Sequence, residues 1–86
     1  MTVTHNTAFN RYEMKTEHGL AIAVYHQQGD RRVFSHTEVP PQDEGRGYAS
    51  QLVKEALDDT RRAGFKIQPA CSFVVAYVRR HPEYRD

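Results

Sequence analysis

Across Gln42-Asp43-Glu44-Gly45-Arg46-Gly47 the hydrophobic periodicity of the chain changes, and this change indicates the fold class. Before it, apolar and polar residues alternate as in β-strands, whereas after it apolar residues recur at the spacing of an amphipathic helix. Glycines between a strand and a helix N-terminus let the backbone approach an anion, which the unpaired N–H groups of the first helical turn can bind. The stretch therefore predicts a phosphate-binding turn, although a plain flexible turn has the same local pattern. The helical stripe consists of Tyr48, Ala49, Leu52, Val53, Ala56, Leu57 and Thr60.

Three strands are predicted upstream of this turn. Residues 11–16 alternate polar and apolar, and residues 20–25 are apolar on both faces, which favours a position inside a sheet. Gly29-Asp30 is typical of a tight hairpin, and a third strand over residues 32–39 is stopped by the two prolines that follow it. Short turns between the three strands predict an antiparallel meander, and residues 1–10 are expected to form a ragged start.

Downstream of the first helix, the chain predicts one more strand and one more helix. Gly64 is placed to end the first helix, residues 65–68 form a short strand, and Ser72–Arg80 reads as a second helix that ends before Pro82. A strand reached across a helix lies parallel to the strand before that helix, by a right-handed crossover. The expected fold is therefore α/β (α+β) with a mixed sheet, in the order β-β-β-α-β-α.

The composition narrows the class of protein. Eighty-six residues suit a single domain over 1–86, and a formal net charge of +1 gives no broad electrostatic footprint for nucleic acid. The single cysteine excludes an internal disulfide and fits a reducing cytosol, and neither a signal peptide nor a membrane span is expected. The five histidines show no metal-binding spacing. We therefore expect a cytoplasmic protein without a metal; a monomer is favoured, with the oligomeric state left open.

The pattern Gln42-x-x-Gly45-x-Gly47 resembles motif A of the GCN5-related N-acetyltransferases. Together with the blocks at residues 36–40 and 69–84, the chain resembles the YjdJ-type small N-acetyltransferases from about Arg11 to Tyr84. The resemblance implies a truncated acetyltransferase fold without the two helices that follow the first strand in larger relatives. It also implies acetyl-CoA as the ligand and an undefined amine as the acceptor. The implied cofactor-binding residues are Val39, Gln42, Gly45, Arg46, Gly47, Tyr48, Ala49 and Ser50.

Acetyl transfer needs a neutral amine, a polarised thioester carbonyl and a proton for the leaving thiolate, and four residues are candidates for this chemistry. Glu38 is the nearest match to the strand carboxylate that serves as base in the larger family, and an exposed carboxylate without a role is the alternative. His36 has a side chain of suitable pKa, and a purely structural histidine is its alternative. Tyr77 lies about where larger relatives carry a tyrosine that protonates the thiolate, and core packing is the alternative.

Cys71 is the fourth candidate, because thiols at a helix N-terminus are more nucleophilic. The resemblance to YjdJ-type proteins implies a catalytic role for it, whereas a buried inert thiol is the commoner fate of a single cysteine. At the level of function, an acetyl-CoA-dependent N-acetyltransferase competes with a non-catalytic acyl-CoA-binding or partner-binding module. An RNA-binding sheet that exposes Tyr12, Tyr25 and Phe34 is a third hypothesis, disfavoured by the near-neutral charge.

Overall fold

The computed structural model describes residues 2–85, which form one five-stranded sheet and two α-helices. The strands are β1 (Val3–Asn6), β2 (Arg11–Lys15), β3 (Leu20–Gln28), β4 (Arg31–Glu38) and β5 (Lys66–Pro69). The helices are α1 (Tyr48–Arg62) and α2 (Ser72–Arg80), and short 3₁₀ turns span Pro41–Asp43 and Pro82–Tyr84. In residues 2–85, no helix has the length and apolar character needed to cross a bilayer.

The sheet is mixed, with the strands in their sequence order from β1 to β5. The first four strands pair antiparallel, and β5 pairs parallel to β4 after the crossover through α1. The predicted mixed α/β fold is thereby confirmed, with β3 in the centre of the sheet and the short β5 at an edge. Helix α1 ends at Arg62, and Gly64 has a left-handed φ of 85°, as expected for a residue just past a helix C-terminus.

The N-terminus departs from the expected ragged start over residues 1–10. Val3–Asn6 forms a strand that pairs with β2, so the element order is β-β-β-β-α-β-α. Besides its pairing with β2, this strand is attached to the core by Val3 and by ring contacts of His5. The His5 ring stacks on Tyr12 at a centroid distance of 4.2 Å, and its Nε2 lies 2.5 Å from the Tyr25 hydroxyl. A hydropathy pattern does not detect this kind of attachment.

One face of the sheet carries the core, and both helices pack on it. From β2, β3 and β4 come Tyr12, Tyr25 and Phe34, which are all buried. This burial corrects the expectation that these three rings are exposed, and it removes the stacking platform on which an RNA-binding sheet depended. Core residues from the helices include Leu52, Val53, Ala56, Leu57, Val74, Tyr77 and Val78.

A β-bulge in β4 changes which side chains face the helices. Val24 pairs with His36, but the next residue of β3, Tyr25, pairs with Phe34, so Ser35 is an extra residue in β4. Phe34 therefore faces the helices on one side of the bulge and Thr37 faces them on the other. The pairing of β4 with β5 ends at Phe34 and Pro69, and from there the two strands diverge.

Candidate functional site

The glycine loop ends in an open helix terminus. Gly45 and Gly47 have left-handed φ angles of 81° and 83°, which favour glycine, and Gly47 is the N-cap residue of α1. Within residues 2–85, no side chain caps this terminus by a hydrogen bond. A Cβ at either glycine would meet no atom of residues 2–85 within 4 Å, so these residues leave space beside the loop. The terminus thus combines free N–H groups, the positive end of the helix dipole and room for an anion.

A cavity of about 380 Å³ begins at this loop and runs along β4 to α2. This volume is within the usual range of small-molecule sites. Thr37 and Phe73 line its far end, and sequence reasoning did not single out either of them. The bulge at Ser35 turns Thr37 toward the helices, and the sequence around Ser35 carries no pattern that predicts a bulge. Six of the eight predicted cofactor-binding residues line the cavity: Val39, Gly45, Gly47, Tyr48, Ala49 and Ser50.

The other two predicted cofactor-binding residues lie outside the cavity lining. Gln42 is exposed in the 3₁₀ turn. The Arg46 guanidinium pairs with the Glu17 carboxylate and lies 3.8 Å from Oδ1 of Asp43. Arginine is always charged at neutral pH, and the hydrogen bond with Glu17 raises the pKa of Arg46 further, so a cation lies beside the loop. Arg46 therefore ties the glycine loop to the β2–β3 turn in this structure.

Asp43 is a buried residue that the sequence did not single out. Its carboxylate accepts hydrogen bonds from the backbone N–H of His18 at 2.9 Å and from the His18 ring, with Nδ1 at 2.7 Å. Burial alone would raise the pKa of Asp43, but these interactions outweigh it and lower the pKa to about 2. The ionised Asp43 thereby anchors the start of the glycine loop to the β2–β3 turn. Its partner is 25 positions away, so local sequence gives no signal of the pair.

Glu17, His18 and Asp43 also bring three potential metal ligands together, two carboxylates and an imidazole, with their ligand atoms within 4.8 Å of one another. Arg46 contacts both carboxylates of this cluster and balances their charge. The Arg46 guanidinium neutralises the two carboxylates, so the close approach of these three side chains is explained without a metal ion.

Cys71 lies where β4 and β5 diverge, at the N-cap position of α2. Its backbone N–H donates to the Phe34 carbonyl at 3.0 Å, which holds the start of α2 against β4. The Cys71 Sγ atom lies 3.3 Å from the Thr37 hydroxyl and accepts from the Val74 N–H at 3.5 Å. Because Thr37 lines the cavity, the thiol is adjacent to the end of the cavity that is remote from the glycine loop.

The remaining catalytic candidates are placed away from this cavity. Tyr77 is buried in the core, with its ring stacked on His81 at 4.1 Å, and burial raises the pKa of its phenol. His36 and Glu38 lie opposite Val24 and Ile22 on the sheet face away from the helices. Both are exposed, and 3.5 Å separates His36 Nε2 from Glu38 Oε1. The structure thus brings Cys71 and Thr37 to the cavity but not Tyr77, His36 or Glu38.

Together these features define the class of protein: a small mixed α/β fold with an uncapped helix N-terminus, a diverging strand pair and a cavity between them. A family profile described as GCN5-related N-acetyl-transferase matches residues 11–86. The chain therefore belongs to the GCN5-related N-acetyltransferase family.

The chain is also similar to individual proteins. Protein NATD1 of chicken (Gallus gallus) and of human (Homo sapiens) are each 38% identical to it over 66 residues, or 76% of this chain. The match spans 60% and 58% of those two proteins, about three fifths of their length. Among solved structures, a GCN5-like protein from Staphylococcus aureus superposes with a TM-score of 0.68. That superposition covers 96% of this chain and 82% of the other at 19% identity, and it supports the fold.

Proposed function

We propose that this chain binds acetyl-CoA in the cavity between the glycine loop and Cys71, and transfers the acetyl group to an amine. The observation that carries the proposal is the uncapped N-terminus of α1, which opens into a cavity whose far end lies beside a thiol. Family membership supports acetyl transfer as the type of reaction.

The two ends of the cavity suit the two ends of the proposed ligand. The diphosphate would accept hydrogen bonds from backbone N–H groups in the first turn of α1, where the helix dipole adds to the attraction. The pantetheine arm would follow β4, because beyond Phe34 that strand is no longer paired with β5. Exposed strand edges bind extended amide-containing ligands through main-chain hydrogen bonds. The thioester would then lie near Thr37 and Cys71.

Two routes of transfer are compatible with this placement. In the direct route, the amine nitrogen attacks the thioester carbonyl, the C–S bond breaks, and the coenzyme thiolate takes up the proton that the amine loses. In the covalent route, Cys71 Sγ first displaces the coenzyme thiol to give an acetyl-cysteine, which the amine then attacks. The direct route leaves Cys71 in a supporting position behind the pocket wall, with its thiol close to the Thr37 hydroxyl.

A non-catalytic acyl-CoA-binding module is the second candidate function, and one observation favours it. Tyr77, His36, Glu38 and Cys71, the four candidate catalytic residues, all lie outside the cavity lining, and of these Cys71 contacts the lining residue Thr37. Such a module would bind the cofactor at the same loop without consuming the thioester.

Titration with acetyl-CoA, followed by backbone NMR, tests the binding site. The amides of residues 45–50 should shift most, and a largest response in β1 or β2 would show that the site is elsewhere. Thioester consumption in the presence of polyamines, peptides and small amines then separates the enzyme from the binding module. Consumption that depends on the added amine supports transfer, and binding without consumption supports the module.

A further inference from the structure

The open face of the sheet, on the side away from the helices, has an apolar centre. Leu20, Ile22 and Val24 lie there along the central strand β3; Leu20 is 42% exposed, and Ile22 and Val24 are partly buried. Among residues 2–85, these three side chains are not part of the core cluster. The uncovered face of an antiparallel sheet is normally polar, because it meets water. An apolar centre is instead typical of a surface that packs against a partner.

Charged residues flank this centre in two rows that cross the strands. In the first row, strand pairing aligns Arg11, Val24 and His36. In the second row, two residues farther along each strand, it aligns Glu13, Ile22 and Glu38. The first row thus carries a guanidinium and an imidazole beside its apolar residue, and the second row carries two carboxylates.

Contacts within the chain hold these charged groups beside the apolar centre. The Arg11 guanidinium lies 2.6 Å from the Glu13 carboxylate, and His36 Nε2 lies 3.5 Å from Glu38 Oε1. Glu13 accepts from Arg11 and from Asn6 through the same oxygen, Oε2. A carboxylate has room for about four hydrogen bonds, so a donor from outside the chain can bind there as well.

We infer that the open face is the interface of a symmetric dimer, in which a second copy of the chain covers it. A two-fold axis across the strands, midway between the rows, places the first row of each copy over the second row of its partner. Arg11 then faces Glu13 of the partner subunit. His36 faces Glu38 of the partner subunit, and the apolar centres pack against each other as in two stacked sheets. A partner of one charge sign would match only one row, whereas a second copy matches both.

This dimer is expected to be reversible, because the interface is small. At about 4.8 Å between strands and about 3.4 Å per residue, the patch measures about 15 Å by 20 Å. Stable complexes bury about 800 Å² per partner, so we expect a dissociation constant of about 10–100 µM. The apolar centre supplies the affinity, and the charged rows fix the register. Because the helices and the cavity lie on the other face, the dimer leaves the proposed cofactor site open.

Exchange of charges between two variants tests the inference, with self-association measured by sedimentation velocity. Arg11→Glu sets like charges against each other across the interface, and so does Glu13→Arg, so each variant alone should dimerise more than about tenfold more weakly than the natural chain. An equimolar mixture of the two variants should form a heterodimer, because positions 11 and 13 then face opposite charges again. Arg80→Glu is the matched control, at an exposed arginine of α2, and should dimerise as the natural chain does.

Three results would overturn the dimer. A natural chain that stays monomeric at millimolar concentration would mean that this face meets solvent or a different protein. Self-association of Arg11→Glu and Glu13→Arg at the natural strength would place the contact on another surface. Two variants that are monomeric both alone and when mixed would contradict the two-fold pairing of the rows.

Discussion

At the scale of single residues, Gly47 carries the most direct test of the proposed site. A valine there would have to adopt a φ near 83°, which we expect to lower the free energy of unfolding by about 1–2 kcal/mol. The same change would block the approach of a phosphate, and each lost charge-assisted hydrogen bond is worth about 1.5–3 kcal/mol. Gly47→Val should therefore weaken acetyl-CoA binding more than tenfold, measured by calorimetry on the folded variant.

Gly29→Val is the matched control for this prediction. Gly29 also has a positive φ, 58°, and open space around its Cβ position, but it lies in the β3–β4 turn outside the cavity lining. It should lower stability to a similar extent and leave affinity unchanged. Equal affinity in the natural chain and Gly47→Val would remove the phosphate-binding role of the loop.

Cys71 offers a second test at this scale, through its reactivity. Because its thiol lies beside the end of the cavity, saturating acetyl-CoA should slow its alkylation by iodoacetamide several-fold. Mass spectrometry after incubation with acetyl-CoA decides between the two routes: the covalent route leaves an acetyl group on Cys71, and the direct route leaves a free thiol and an active Cys71→Ser variant. A thiol that reacts equally fast with and without cofactor would place Cys71 outside the site.

Asp43 predicts an acid dependence of stability. The pKa of Asp43 in the folded chain is about 2, below its usual value of 3.8, so its contribution to folding is present above pH 4 and is lost as the pH falls toward 2. Asp43→Asn should lower the unfolding midpoint in urea at pH 7 and show a smaller further loss between pH 4 and 2 than the natural chain. Parallel curves for the two proteins over that interval would show that the His18 contact does not stabilise the fold.

These residue contacts mark where sequence reasoning stops. The glycine loop could be predicted because its chemistry is local, a pair of glycines beside a helix start. The Asp43–His18 pair and the Thr37–Cys71 contact join positions 25 and 34 residues apart, so only the fold brings them together. Glu38 and His36 share one face of β4 opposite Thr37, as predicted, but the bulge residue decides which of those two faces lies toward the helices.

At the scale of elements, β1 shows what a hydropathy pattern overlooks. Its central residue, His5, is held by the Tyr12 and Tyr25 rings, with the Asp59 carboxylate 3.4 Å from its Nδ1. Desolvation, with the nearby Arg32 charge, lowers the pKa of His5 below its usual 6.5. The unfolded chain therefore binds the His5 proton more readily, so acidification through pH 6.5 should weaken the folded state.

We predict that His5→Ala lowers the free energy of unfolding by about 1–2 kcal/mol at pH 7.5, from the lost ring contact and hydrogen bond. Urea unfolding at pH 7.5 and 5.5 should also show a smaller pH effect in this variant than in the natural chain. His26→Ala, at an exposed position of β3, is the control and should retain the natural pH effect. An unchanged pH effect in His5→Ala would mean that His5 is equally accessible to protons in the folded and unfolded chain.

At the scale of the whole molecule, the architecture could be predicted because periodicity and turn residues agree along most of the chain. The spacing of apolar residues changes from alternating to helical at residue 48, which requires a crossover. This crossover predicts the mixed sheet and the parallel edge strand. The N-terminal strand was missed because it has one aliphatic side chain in contact with the core, Val3, and its other attachment is the His5 ring, which a hydropathy pattern does not register.

A chain of 86 residues has a small core, so a bound cofactor should contribute noticeably to its stability. Acetyl-CoA at one hundred times its dissociation constant should add about 2.7 kcal/mol to the free energy of unfolding. For a domain of this size we expect the melting temperature to rise by about 10–20 °C, measured by differential scanning calorimetry. A melting temperature that does not change with cofactor concentration would contradict specific binding to the folded chain.

The extra residue at Ser35 shifts the register of every later residue of β4 by one position relative to β3. Deleting it would restore regular pairing with β3 and exchange the faces of the residues that follow, so that Glu38 would point under the helices and Thr37 away from Cys71. A single insertion or deletion in β4 can thus move a reactive side chain from one face of this small sheet to the other, without any substitution. In a protein this small, a change of one residue in the length of β4 would therefore alter which side chains face the proposed ligand.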